Sequence, residues 1–200
     1  MRRVVLAFLT AARPSEIQFM EVNHGKPRLM ALDSSIEFSS SHSGDHGIIV
    51  TGRSPLGVDI EALERPIDYL AFAEHCFTDI EQADIRRARG SERRKAFFNC
   101  WTGKEAYVKA IGVGLSKSLR SFAVRCAPNE PSGLRWDKES HTPQAEYSFL
   151  RYTDNECVVT VVVSNQTGVI TPAFHALSLS SLRALKPLEN ATGPNWRASP

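Results

Sequence analysis

The chain lacks most of the features that usually announce a function. Its four cysteines, Cys76, Cys100, Cys126 and Cys157, stand far apart and never in C-x-x-C spacing. That excludes a zinc-binding framework and a disulfide scaffold, and leaves four reduced thiols, as in a cytoplasmic protein. Charge of one sign is also scarce. The formal net charge is +2, too small to argue for nucleic acid. No apolar run is long enough to span a membrane. There is no Walker loop, no Gly-x-Gly-x-x-Gly turn and no Gly-x-Ser-x-Gly elbow, so the commonest nucleotide-binding and acyl-transfer devices are missing. What remains is 200 residues, 42% of them hydrophobic, enough for a packed core in one large domain or two small ones.

Arg2-Arg3 followed by Val4–Leu9 superficially resembles a short signal peptide. However, Val5, Phe8, Leu9 and Ala12 fall on one side of a helix that Pro14 stops, which favours a cytosolic helix over residues 1–12. Residues 17–22 alternate like a strand, and His24-Gly25-Lys26-Pro27 has turn composition. Ile36 and Phe38 form a short strand leading into Ser39-Ser40-Ser41-His42-Ser43-Gly44. Ile48–Val50 and Leu56–Ile60 read as two strands joined at Gly52-Arg53-Ser54-Pro55. Helical spacing then takes over from Ile67. Thr78-Asp79-Ile80-Glu81 is a capping box, and Ser91 starts a long helix that stops at Gly112. Residues 121–125, 147–152 and 157–164 read as strands of an antiparallel sheet under that helix, and the tail from Pro187 as loose. Asn165-Gln166-Thr167 and Asn190-Ala191-Thr192 match glycosylation sequons, to which no function is assigned.

Two segments carry chemistry. In Gly57-Val58-Asp59-Ile60-Glu61 a strand sends Asp59 and Glu61 to one face, about 6.5–7 Å apart. Two ionised groups so placed repel unless a cation lies between them, and oxygen ligands alone select a hard ion, Mg²⁺ or Mn²⁺. In Trp101-Thr102-Gly103-Lys104-Glu105-Ala106-Tyr107-Val108-Lys109-Ala110, Glu105 shares the inward side of the helix with Phe98 and Trp101. A carboxylate there needs a partner. A metal shared with Asp59 and Glu61 supplies one; an i, i+4 ion pair with Lys109 is the plainer alternative. Lys104 and Lys109 are the adjacent cations. Ser41-His42-Ser43-Gly44 offers hydroxyls, amides and an imidazole to a phosphate.

These residues, with Gly25-Lys26-Pro27, Gly112-Val113-Gly114-Leu115-Ser116 and Ser121-Phe122-Ala123-Val124, resemble the 4′-phosphopantetheinyl transferases of the surfactin-synthetase-activating (Sfp-like) group, from about Arg3 to Val124. The resemblance implies an α+β fold of two similar halves around a ligand cleft, 1–52 and 53–186, ahead of the tail 187–200. It also implies transfer of the phosphopantetheine arm of coenzyme A to a serine of an apo acyl or peptidyl carrier protein, with Mg²⁺ held by Asp59, Glu61 and Glu105. Glu105 then stands as metal ligand, general base or both. Lys109 meets the transferring phosphate, Lys104 is a second cation there, and Ser41, His42 and Lys26 grip the 3′-phosphate. A monomer is implied, with no nucleic-acid or membrane partner. Only 24 residues precede Gly25, where members of this group usually carry several dozen more. The implied N-terminal half is therefore shortened, and a non-catalytic module that binds coenzyme A or a carrier protein is the alternative.

Overall fold

A computed structural model describes residues 2–21, 26–30, 36–139 and 146–165. The expected turn at His24-Gly25, the tail from Pro187, the last two positions of the first sequon and the whole of the second lie outside the described residues.

Helix α1 (Arg2–Leu9) is short and amphipathic. It turns Leu6 and Ala7 inward, where they join Ala12, Ile17, Leu29 and Phe38 in a small core. Strands β1 (Phe19–Glu21) and β2 (Pro27–Leu29) pair antiparallel beside it. Strands β3 (Glu37–Ser43) and β4 (His46–Gly52) form a hairpin in unbroken register, with Gly44-Asp45 as its two-residue turn. Gly44 sits at φ +56°, a conformation that favours glycine at a tight hairpin turn. The stretch Ser41-His42-Ser43-Gly44, expected as an anion-binding concavity, is therefore strand up to Ser43, and Gly44 serves the turn.

Strand β5 (Leu56–Ala62) opens a different sheet. Its partner is β9 (Cys157–Ser164), which also pairs with β8 (Tyr147–Thr153), giving the antiparallel order β5-β9-β8. β4 and β5, consecutive in sequence, are not hydrogen-bonded to each other. Between β5 and β8 come α2 (Tyr69–Cys76), α3 (Asp79–Arg87), α4 (Ser91–Ile111) and a 3₁₀ turn at Gly114–Ser116. A ribbon of β6 (Phe122–Val124) and β7 (Leu134–Asp137) follows. The arrangement is α+β.

The capping box forms as expected. The Thr78 amide and hydroxyl both donate to Glu81 Oε2, at 2.9 and 2.7 Å, and begin α3. Gly112, at φ +74°, ends α4 and returns its amide to the Val108 carbonyl.

Pleating divides the β5–β9 pair into two faces. Val58, Ile60, Val159, Val161 and Val163 pack with Ile48 and Val50 of the hairpin. The opposite face, with Val158 and Val162, packs beneath α4 against Phe97, Phe98, Ala106 and Tyr107. Gly57, Asp59 and Glu61 share that second face. At Gly57 the approach is so close that a Cβ would stand 2.1 Å from the Ala106 carbonyl oxygen. Only glycine lets strand and helix meet there, and this contact brings the acids of β5 to the side chains of α4.

Candidate active site

Alternation along β5 and the helical repeat of α4 assemble the site. Trp101, Glu105 and Lys109 lie one turn apart on α4. At one end Trp101 Nε1 donates to Glu61 Oε1 at 2.9 Å. At the other, Lys109 Nζ meets Asp59 Oδ1 at 2.7 Å and the Val58 carbonyl at 3.1 Å. Lys109 thus serves Asp59 across the gap between elements, where the sequence also allowed a simple pair with Glu105. Glu105 lies between the two ends.

The strand carboxylates are buried and held from the β3 side by alternate serines. Ser41 Oγ donates to Asp59 Oδ1 at 2.7 Å and Ser43 Oγ to Glu61 Oε2 at 2.7 Å. Arg65 Nη1 completes Glu61, reaching Oε1 at 2.7 Å. Burial pushes the Asp59 carboxyl above its ordinary value, with Lys109 and Ser41 opposing and Glu61 adding. Glu105 is raised for a similar reason: burial first, then Asp59, with Lys109 opposing and Glu61 adding. The three acids therefore share one electrostatic environment.

Among the described residues no three His, Cys, Asp or Glu side chains stand in metal-holding geometry. At the two strand acids Lys109 and Arg65 act as counter-ions. The donor set nonetheless suits a hard divalent ion. Asp59 Oδ2 is buried with no hydrogen-bond partner, and Glu105 is desolvated beside two other carboxylates.

Next to Lys109 lies a cleft of about 190 Å³ lined by Arg2, Lys26, Ser39, Ser40, Lys109 and Gly112 among others. Its cations suit an anion. Lys26 Nζ is anchored on the Leu56 carbonyl at 3.1 Å and faces Glu37 at 3.6 Å. Burial holds its pKa below the usual lysine value, with Glu37 opposing.

Two sequence expectations need correction. Lys104 is not a cation of this site. It is fully buried, and its ammonium donates to the Leu119 and Phe122 carbonyls at 2.6 and 2.7 Å and pairs with Glu81 at 2.9 Å. Adjacent helix residues point about 100° apart, so Glu105 and Lys104 face different neighbours. Ser41 and His42 likewise do not grip one phosphate together. Ser41 turns to Asp59, whereas His42 is exposed on the other face of β3. Lys26 meets β3 at Glu37, five residues away, about 16 Å along the strand.

Sequence reasoning missed Arg65 and Ser39, assigned Ser43 to a phosphate where the structure gives it to Glu61, and gave Trp101 no polar role. The alternate serines 39, 41 and 43 were a period-two signal of a polar strand face. For Arg65 the signal was weaker: a cation four residues after a buried acid.

The family model of the 4′-phosphopantetheinyl transferase superfamily matches residues 55–162, from the turn before β5 into β9. This chain belongs to that superfamily. Among curated relatives, the 4′-phosphopantetheinyl transferase gsp of Aneurinibacillus migulanus is 34% identical over 170 residues, 84% of this chain and 69% of its own length. The transferase psf-1 of Bacillus pumilus is 34% identical over 133 residues, 66% of this chain and 56% of its own. Sfp of Bacillus subtilis is 33% identical over 129 residues, 64% and 56%. The chain thus spans roughly half to two-thirds of the length of these transferases. The matched segment holds Asp59, Glu61, Arg65, Trp101, Glu105 and Lys109; Lys26 and the serines of β3 lie before it.

Proposed function

We propose that the protein transfers the 4′-phosphopantetheine arm of coenzyme A to a serine of an apo acyl or peptidyl carrier protein in the cytoplasm, as a Mg²⁺-dependent enzyme. The observation that carries this reading is the position of Lys109. It bonds Asp59 and also lines the basic cleft, so a pyrophosphate in that cleft lies beside the carboxylates.

In this reading Asp59, Glu61 and Glu105 would hold Mg²⁺, or Mn²⁺, which would supply charge neutralisation for the pyrophosphate. Lys26 and Arg2 take the nucleotide end of coenzyme A. Lys109 meets a non-bridging oxygen of the phosphoryl group under attack. The carrier serine Oγ bonds to that phosphorus, the P–O bond to the adenosine-bearing phosphate breaks, and adenosine 3′,5′-bisphosphate leaves. Glu105 accepts the serine proton, directly or through water. The base and ligand roles compete, because a bound cation would oppose the upward push that burial gives its pKa; among the described residues no side-chain hydrogen bond to Glu105 would have to be broken first.

The test is intact-mass analysis of a panel of apo carrier proteins incubated with coenzyme A and this chain. One phosphopantetheine is gained on at least one carrier, only with Mg²⁺, and chelation stops the gain reversibly. Asp59→Ala and Glu105→Ala each lower turnover at least about 100-fold. Full turnover in either variant refutes the assignment. Calorimetric binding of coenzyme A with no transfer to any carrier would instead establish a non-catalytic binding module.

A further inference from the structure

Glu61 is the most fully occupied carboxylate of the site. Ser43 holds Oε2, while Trp101 and Arg65 share Oε1. Two of these partners are fixed by packed elements. The third is different in kind. The Arg65 side chain is 49% exposed, whereas that of Glu61 is 9% exposed. Its main chain is pinned, because the guanidinium of Arg94 donates to the carbonyls of both Leu63 and Arg65. The guanidinium of Arg65 can therefore leave Glu61 for water with little change in the backbone beneath it. Leu63 and Glu64, just before Arg65, line an open cleft of about 550 Å³.

Charge gives the direction. Asp59, Glu61 and Glu105 set three negative charges against the two positive charges of Lys109 and Arg65. A divalent cation would turn that deficit into an excess. Lys109 has two further acceptors in Val58 and Ser41 to hold it, at 3.1 and 3.4 Å. For Arg65, Glu61 is its side-chain ion-pair partner.

We propose that Arg65 is a displaceable counter-ion: without a divalent cation it occupies Glu61 Oε1, and it yields that oxygen when a hard divalent cation binds, while Ser43 and Trp101 keep the carboxylate in place. Arg65 thus competes with the metal for Glu61, and its competition sets the metal affinity. The inference rests on the reading that these acids take a divalent ion.

The test uses the full chain and Mn²⁺, with free ion followed by electron paramagnetic resonance. Arg65→Gln removes the competing charge and leaves Ser43 and Trp101 on Glu61, so Mn²⁺ binds about three- to tenfold tighter. A purely structural Arg65 predicts the reverse, because Glu61 would lose its orientation. Equal or weaker binding by a natively folded Arg65→Gln protein overturns the proposal. A second measurement does not depend on that variant. The Nε–H resonance of Arg65 in the wild-type chain, assigned by its absence from Arg65→Lys, moves toward the position of a solvent-exposed arginine as Mg²⁺ is added. A resonance that stays in place at saturation also overturns the idea. Asp59→Asn separates the two levels. If wild type binds no Mn²⁺, or Asp59→Asn binds it equally well, the carboxylate site itself is wrong. If only the Arg65 results fail, the site stands without a displaceable counter-ion.

Discussion

Replacing Lys104 by methionine separates a lysine that binds ligand from one that holds the core. Lys104 and Glu81 are both fully buried, and their ion pair at 2.9 Å has no solvent to share it. Glu81 also caps α3 through Thr78 and accepts the Val124 amide at 2.8 Å, so it ties α3 to β6 whether or not Lys104 is present. Lys104→Met keeps much of the side-chain volume but strands that carboxylate without its cation. It also leaves the Leu119 and Phe122 carbonyls without a donor, and removes an ammonium 4.2 Å from the Phe122 ring centroid. Breaking one side of a buried pair costs about 3–5 kcal/mol, which in a chain of this size lowers the melting temperature by about 6–20 °C. Adding Glu81→Gln removes the stranded charge but keeps an acceptor for only one of the two sides, Thr78 on Oε2 or Val124 on Oε1, so it recovers only about 1–2 kcal/mol of the loss. Urea unfolding of wild type, both single variants and the double variant measures these values. Coenzyme A affinity of the folded single variant stays within about threefold of wild type. A Lys104→Met protein that is stable within about 1 kcal/mol yet loses coenzyme A binding would refute the reasoning and return Lys104 to the ligand site.

Gly57→Ala forces β5 and α4 apart, because its Cβ would lie 2.1 Å from the Ala106 carbonyl oxygen and 2.5 Å from the Ala110 amide nitrogen, both main-chain atoms. Overpacking of this kind costs about 3 kcal/mol or more and shifts Lys109 from Asp59, so thermal unfolding moves down and transfer falls together; an unchanged melting temperature contradicts the close approach. Ser43→Ala removes the donor to Glu61 and leaves the Ala62 amide, 3.0 Å from Ser43 Oγ, without its acceptor. The expected loss is about 2–4 kcal/mol by urea unfolding. Asp137 gives a pH effect of known sign. Burial alone would raise its pKa, but Lys117, the Glu139 amide and Tyr107 outweigh that and hold it below the ordinary carboxylate value. Its stabilising contribution is present above the unfolded value of about 3.9 and lost as pH falls through the lower folded value. Asp137→Asn therefore flattens the acid side of the stability profile below about pH 4, measured by urea unfolding at several pH values; an unchanged acid limb would show that Asp137 is not held down.

Features encoded locally were the most legible. The long helix, its glycine stop and the capping box at Thr78 depend on residues within one or two turns of each other. The pairing of Asp59 and Glu61 on one strand face follows from pleating alone. Less legible was anything requiring a partner far along the chain. Glu81 and Lys104 are 23 positions apart, and neither segment names the other. β7 escaped because Leu134–Asp137 is short and partly polar, and β2 because Pro27–Leu29 follows a turn signal. The two errors at the site share one cause. Lys104 and Glu105, like Ser41 and His42, are neighbours in sequence but not in space. Helix and strand geometry both send adjacent side chains in different directions. The residues that do converge, Trp101–Glu105–Lys109 and Ser39–Ser41–Ser43, follow the periods of four and two.

The serine stripe also explains why stability and site chemistry are joined here. β5 is an edge strand of its sheet, and an edge leaves main-chain donors and acceptors unpaired. β3 does not extend that sheet with a backbone ladder. Instead Ser39 Oγ accepts from the Val58 amide at 3.1 Å and Ser43 Oγ from the Ala62 amide at 3.0 Å. Lys109 takes the Val58 carbonyl and Lys26 the Leu56 carbonyl. Each hydroxyl can accept and donate at once, so Ser43 completes the edge and also restrains Glu61. An alanine stripe would leave buried amides unpaired, and larger side chains would push the hairpin away from the edge. The same substitution that would free the acids of β5 would also loosen the joint that keeps them buried. On the proposed reading that these acids take a divalent ion, its affinity would be tuned from the exposed side, at Arg65, more readily than from the serines of β3.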